Sequence, residues 1–175
     1  MTFFGLLLVA LLGAIVVIAS LRPSAFRIAR EIVIAAPPEA VFAQLDDFRR
    51  WNAWSPWMKR DPGLAITYEG PESGVGASAA WSSVTSGIGR LAITECVRDE
   101  RLRVTLDQPT KRAKKMAFDL EPLGGGTHVV WSMNGECDFF AKLFGLFVNL
   151  DKRIGGDFEG GLADLRASVE RKRQE

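Results

Sequence analysis

Histidine is almost missing from this chain: His128 is the only imidazole in 175 residues. That excludes a zinc motif of the H-E-x-x-H kind and leaves any Ser-His-Asp or Cys-His arrangement dependent on one residue. His128 sits in the run Thr127-His128-Val129-Val130-Trp131, a strand pattern, so it reads as a half-exposed sheet residue and not as a catalyst. Cysteine is scarce too. Cys96 and Cys137 are too few for a disulfide framework, and neither has zinc-ligand spacing. Both read as small reduced sheet residues, with one bridge between them as the alternative. An excess of either charge is also lacking, since 22 Lys plus Arg offset 21 Asp plus Glu, so no global field draws the chain to nucleic acid or to acidic substrates. Recognition must be local, and no cofactor or metal is called for.

Charge is absent from one whole segment. Between Thr2 and Leu21 there is no charged residue, and the stretch is long enough for the roughly 20 residues that cross a bilayer core. It is expected to be an uncleaved membrane anchor over residues 1–21, with the folded domain over 22–175. A cleaved signal peptide competes, because Val17 and Ala19 could form a cleavage site, but the leading residues lack the usual lysine or arginine. Arg22, Arg27 and Arg30 follow the segment, whereas only Met1 and Thr2 precede it. The positive-inside rule then puts the domain on the cytoplasmic face of a single-pass protein. Oligomeric state is not readable from these patterns.

What is present after Leu21 is a series of short extended patterns. Phe26 to Ile34 alternates in part, and Ala35-Ala36-Pro37-Pro38-Glu39 breaks it. Pro38 opens a helix through Leu45, and Phe48 to Trp51 makes a further helical turn. Strand patterns then recur at Leu64 to Glu69, Gly76 to Ser83, Gly87 to Val97, Arg101 to Asp107, Lys114 to Glu121 and Thr127 to Glu136. Turn chemistry separates them at Gly70-Pro71, Gly74, Ser86-Gly87, Arg98-Asp99-Glu100 and Gly124-Gly125-Gly126. The result is a seven-stranded, largely antiparallel sheet with one apolar face, carrying Leu102, Val104 and Leu106, then Met116, Phe118 and Leu120.

The last segment supplies the cover. Phe140, Phe144, Phe147, Ile154, Phe158, Leu162, Leu165 and Val169 recur at helical spacing, which predicts one long amphipathic helix. Its basic end, Arg171-Lys172-Arg173, suits the negative pole of that helix. Gly155, Gly156, Gly160 and Gly161 are anomalous there, each costing about 1 kcal/mol against alanine. Either the helix breaks, or another body comes close to its backbone.

The order strand, short helices, six strands, long helix resembles the polyketide cyclase/dehydrase and lipid-transport family of the START-like (SRPBCC, helix-grip) superfamily. The residues that carry the resemblance are Ile34 through Phe42, the cluster Trp51 to Trp57, Gly74-Val75-Gly76-Ala77 to Trp81, Gly126 through Trp131 and Asp157-Phe158-Glu159-Gly160-Gly161-Leu162. It covers essentially everything after Arg27. The resemblance implies an α+β helix-grip fold, in which a curved antiparallel sheet wraps the C-terminal helix around a cavity for a lipid, polyketide, sterol or similar molecule. It does not imply an enzyme, and it brings no invariant catalytic set. A hydrophobic small molecule or lipid is the partner it implies, with the membrane as a second.

Candidate cavity-lining residues are Trp54 and Trp57 from the tryptophan cluster, and Trp81, Leu91, Ile93, Val104 and Phe118 from the strands. Trp131 and Met133 on the last strand join them, with Phe158 and Leu162 on the helix. Each serves core packing equally well. For acid-base chemistry the candidates are Glu95, Asp107, Glu121 and Glu136; alternation puts the last three on polar faces, while Glu95 shares parity with Leu91, Ile93 and Val97. Lys111-Arg112 with Lys114-Lys115 is the densest basic patch and reads as a solvated hairpin. Gly87-Ile88-Gly89-Arg90-Leu91-Ala92 spells part of a dinucleotide fingerprint but leads into a strand, which rules that site out. Two readings therefore compete with a membrane-anchored carrier of an apolar molecule: a cyclase/dehydrase-type enzyme, and a tethered protein-interaction module.

Overall fold

Proline and glycine punctuation places the elements much where the pattern predicts. The computed structural model describes residues 2–61, 63–109 and 111–172, with the side chains at positions 2, 5, 6, 8, 9 and 172 excepted. Helix α1 (Thr2–Leu21) leads into strand β1 (Ala25–Ile34), and α2 (Pro38–Phe42) begins on Pro38, whose missing N–H costs a first turn nothing. A 3-10 turn over Phe48–Ala53 follows; the Asp47 carboxylate caps it by accepting from the Arg49 amide at 2.9 Å. The short helix α3 (Pro56–Arg60) was not predicted.

Six strands complete the sheet: β2 (Ala65–Glu69), β3 (Ser78–Ser83), β4 (Gly87–Val97), β5 (Arg101–Gln108), β6 (Lys111–Leu123) and β7 (Gly126–Glu136). All neighbours are antiparallel, in the order β1-β7-β6-β5-β4-β3-β2, so the first strand closes onto the last and the others meander outward. Gly124 and Gly125, both at positive φ, make the two-residue turn that pairs Leu123 with Gly126. One parity error follows from a bulge. The β4–β5 register shifts between Ile93 and Glu95, so Glu95 leaves the apolar face expected for it, stands exposed and meets Arg101 at 3.4 Å. Cys96 turns toward the core in its place, and both cysteines are free.

The C-terminal cover is two helices and not one. Helix α4 (Phe139–Phe144) is capped by Asp138, which accepts from the Ala141 amide at 2.7 Å, and ends at Gly145. Helix α5 (Leu150–Lys172) then starts where the Asn149 side chain accepts from the Lys152 amide at 3.0 Å. Periodicity ran through this break because the turn happens to preserve the spacing of the phenylalanines. Of the expected basic cap, Arg171 is exposed at the end of α5 and Arg173 lies outside the described residues.

The glycines of α5 resolve into two kinds. The helix is unbroken across them, and two face close neighbours: a Cβ on Gly155 would stand 2.0 Å from the Arg30 guanidinium, and one on Gly161 would stand 2.8 Å from the Trp131 ring. Arg30, although on the inner parity of β1, reaches this notch and pairs with Asp151 at 3.0 Å and Glu159 at 2.6 Å. Gly156 and Gly160 face open space.

The single membrane pass expected over residues 1–21 is not supported: among the described residues no helix is long and apolar enough to cross a membrane. What α1 does show is a helix without charge, docked at its C-terminal end on α4. The Lys142 ammonium donates to the Ser20 and Arg22 carbonyls at 3.2 and 2.9 Å, and the Arg22 guanidinium donates to the Gly145 carbonyl at 2.7 Å.

Candidate functional site

The space between the concave sheet and α5 is occupied first by aromatic side chains. Trp131 of β7 stacks on Phe158 of α5 with centroids 4.1 Å apart and planes within 3°. Trp54 meets Trp131 edge-on at 5.5 Å, Phe118, its cross-strand partner on β6, lies 5.1 Å away, and Trp57 closes the group at 5.6 Å. Stacked and edge-to-face pairs of this kind are worth about 0.5–1.5 kcal/mol each beyond their burial. The Trp51 and Trp54 indole N–H groups donate to the Leu45 and Gln44 carbonyls at 2.8 and 3.1 Å, which ties the tryptophan cluster to the loop before it. The Trp131 indole nitrogen alone among described buried side-chain polar atoms has no partner.

Of the eleven cavity candidates, Trp54, Leu91, Ile93, Val104, Phe118, Trp131, Met133, Phe158 and Leu162 are buried, while Trp57 and Trp81 are partly so. The structure joins them in one hydrophobic core. Trp81 lies apart from the stack, its ring over Gly89, where a Cβ would come within 2.2 Å of it. None of the eleven lines either of the two hollows described below.

The larger hollow, of about 770 Å³, opens where β1, β6 and β7 run past the end of the aromatic stack and α4 folds over them. Phe26 and Ile154 form its inner wall and pack on the core; Leu143, Phe144, Phe147 and Leu150 come from α4, the following turn and the start of α5. Phe140, Phe144 and Phe147 are 78, 59 and 76 % exposed, so an apolar edge is presented at the mouth. At the sheet end, Gly135 allows the close approach: a Cβ there would stand 2.9 Å from the Phe26 ring and 3.1 Å from the Lys114 stem. Lys111, Arg112 and Lys114 bring positive charge to the same end, and Arg112 is bound to Glu136. Burial, then the neighbouring Lys111, hold the Lys114 ammonium below its ordinary pKa; burial pushes the Cys137 thiol up. The second hollow, of about 640 Å³, is a dish on the outer face of the same strands, lined by Arg27, Lys115 and Asn134 among others.

Sequence reasoning missed the groove for identifiable reasons. Periodicity places Phe140, Phe144 and Phe147 on a covering helix face, and the local charge pattern places Lys114 in a solvated hairpin. Lys114 could have been found, since it shares parity with Met116, Phe118 and Leu120 on the apolar face. The carboxylate candidates scatter: Asp107 and Glu121 are exposed on separate strands, and Glu136 is held by Arg112. His128 is on the outer face with Nε2 3.3 Å from Glu31.

A curved seven-stranded antiparallel sheet closed by a long C-terminal helix defines a START-like, helix-grip protein. The particular family follows from the chain itself: residues 25–170 match the model for polyketide cyclase / dehydrase and lipid transport, and the chain belongs to that family. No curated protein matches it. Among solved structures it is similar to protein CV1439 from Chromobacterium violaceum, at 21 % identity and a TM-score of 0.59 over 85 % of this chain and 99 % of that one. It is also similar to SA2116 from Staphylococcus aureus, at 12 % identity and 0.67 over 88 % and 99 %. The Aha1 dimer from Colwellia psychrerythraea gives 16 % identity and 0.57 over 83 % and 96 %. At these identities the likeness concerns the fold.

Proposed function

We propose that this protein binds an apolar or amphipathic small molecule or lipid in the groove between the end of the sheet, α4 and α5, and acts as a carrier or receptor for it. The observation that carries the reading is the groove: about 770 Å³, with Phe, Leu and Ile making half of its lining residues, beside the buried hydrophobic core. A site of that size and lining suits a ligand held by burial of apolar surface with few polar contacts. Membership of a family described by lipid transport supports the same reading. The interior residues named from the sequence act in this proposal from behind, holding sheet and helix apart at the spacing that leaves the groove open.

Membrane attachment through residues 1–21 is the finer part of the proposal, with 22–175 as the binding domain. The reading draws on the absence of charge from α1 and on the exposure of Phe3, Phe4, Leu7, Leu11 and Leu12, an apolar surface on a helix that among the described residues is not long and apolar enough to cross a membrane. In that arrangement Arg22 and Arg27 carry the positive-inside argument for a cytoplasmic domain, because Arg30 is committed to α5. The groove mouth on α4 would then face the bilayer from which a lipid would come.

The experiment is mass spectrometry of organic extracts from full chain purified in a mild nonionic detergent, with an Ile154→Trp variant that fills the inner wall. A ligand retained by the natural chain and lost from the folded variant is the expected result. Absence of any retained molecule, together with failure to bind added long-chain probes, would overturn the reading. A cyclase-type enzyme would instead show turnover that depends on a titratable group of the groove, for which Cys137, Asp138 and Lys114 are the residues to vary.

A further inference from the structure

The groove is apolar along its walls, yet one end of it holds a cation with no counter-charge. Lys114 lies on the inner face of β6, in line with Met116 and Phe118, and its stem passes over Gly135 into the hollow. Its ammonium has no hydrogen bond or ion pair with any described residue. The nearby acids are spoken for: Glu136 binds Arg112, and the Asp138 carboxylate caps α4 through the Ala141 amide. Lys111, the next free cation, stands beside it and disfavours its charged form. A half-buried ammonium left in this position is costly unless something negative joins it.

From this geometry we infer that the ligand is an anionic amphiphile, whose carboxylate or phosphate head is bound by Lys114 with help from Lys111 while its hydrocarbon tail lies against Phe26, Phe144 and Ile154. The inference rests on the groove being the binding site. It adds a polarity: head toward the β6 end, tail toward α4 and α5. An anion there would offset the cost of burying the Lys114 ammonium and form a charge-assisted hydrogen bond in partly desolvated surroundings, where such bonds contribute most. A neutral or cationic amphiphile of the same length would bury the same tail and forgo that contact.

The test uses the full chain in nonionic-detergent micelles and four probes with the same fourteen-carbon chain: tetradecanoate, a tetradecanoyl lysophosphatidic acid, tetradecanol and tetradecyltrimethylammonium. Affinities are read by native mass spectrometry for the natural chain, Lys114→Met, Lys114→Arg and Lys115→Met; the last removes equal charge from the outer face of the same strand. Micelle partitioning cancels in each comparison of variant with natural chain. The expected result is about a tenfold loss of anion binding in Lys114→Met, retention in Lys114→Arg and Lys115→Met, and unchanged binding of the alcohol. Preference between the two anions tells a fatty-acid-like ligand from a phosphate headgroup. Equal anion binding by Lys114→Met and the natural chain, or alcohol bound as tightly as either anion, would overturn the inference while leaving the groove in place. Failure of all four probes would overturn both.

Discussion

A single methyl group distinguishes the four glycines of α5. Gly156 and Gly160 look onto open space, so alanine at either removes backbone freedom from the unfolded chain and should stabilise the protein by up to about 1 kcal/mol. Gly161 is different: its missing Cβ is where the Trp131 ring and Pro56 come within 2.8 and 3.0 Å, and neither is a flexible tip. Gly161→Ala should therefore cost about 1–3 kcal/mol, the range for overpacking a rigid contact. Denaturant unfolding of the three variants checks the prediction by sign alone. At Gly155 the neighbour is the end of an arginine, which can swing away, so alanine there should chiefly break the link from Arg30 to Asp151 and Glu159. None of these contacts was legible in the sequence. The glycines advertised a close approach or a break, but which of the four served it depends on the rotation of α5 over β1 and β7.

Among the elements, the β3–β4 hairpin and α3 are joined by one carboxylate. Asp61 accepts from the Ser83 and Ser86 hydroxyls at 2.5 and 2.6 Å and from the Gly63 amide at 3.2 Å. The Ser83 hydroxyl, then that of Ser86, hold its carboxyl below the usual carboxylate range, and the hydrogen bond from Arg30 does the same for Asp151. A depressed folded pKa means that each contributes stability above the ordinary carboxylate pKa and loses it as pH falls through the lower, folded value. Asp46, raised by burial, acts in the opposite sense. Acidification should thus loosen the hairpin tip before the sheet centre, seen as faster amide exchange at Thr85 and Ser86, and Asp61→Ala should show that exchange already at neutral pH. Protection unchanged at both amides in the alanine variant would contradict the clamp.

The elements also show what pattern reading can and cannot deliver. Alternation plus turn residues located all seven strands to within a few positions, because each strand buries one face and each turn uses glycine or a charged triplet. Parity failed only at the bulge beside Thr94, where an extra residue on β4 reverses every later side chain on that strand. The groove was not legible. Both its walls carry residue types found in any core, and only the end of α4 at Gly145, with Asn149 restarting the helix, separates a filled interior from an open one.

For the whole molecule the issue is how the apolar edge of α4 and the uncharged α1 act together. Lys142 and Arg22 fasten the end of α1 to α4, so Phe140, Phe144 and Phe147 stand next to that end with most of their surface in solvent. In the proposed membrane-facing arrangement these exposed phenylalanines would form the interaction surface, and the basic residues at the groove end would suit an anionic bilayer. Replacing all three by serine removes little buried surface and should leave the unfolding midpoint nearly unchanged. If α1 anchors the chain, the triple variant should still sediment with membranes and resist alkaline extraction, yet transfer a fluorescent fatty acid between vesicles and the groove several-fold more slowly. If α1 does not insert, the same variant should lose vesicle binding altogether, because the phenylalanine edge would be the main apolar contact remaining. Flotation and transfer kinetics on vesicles with and without anionic lipid separate the two outcomes. Transfer and binding at natural rates in the variant would deny the α4 edge any part in either.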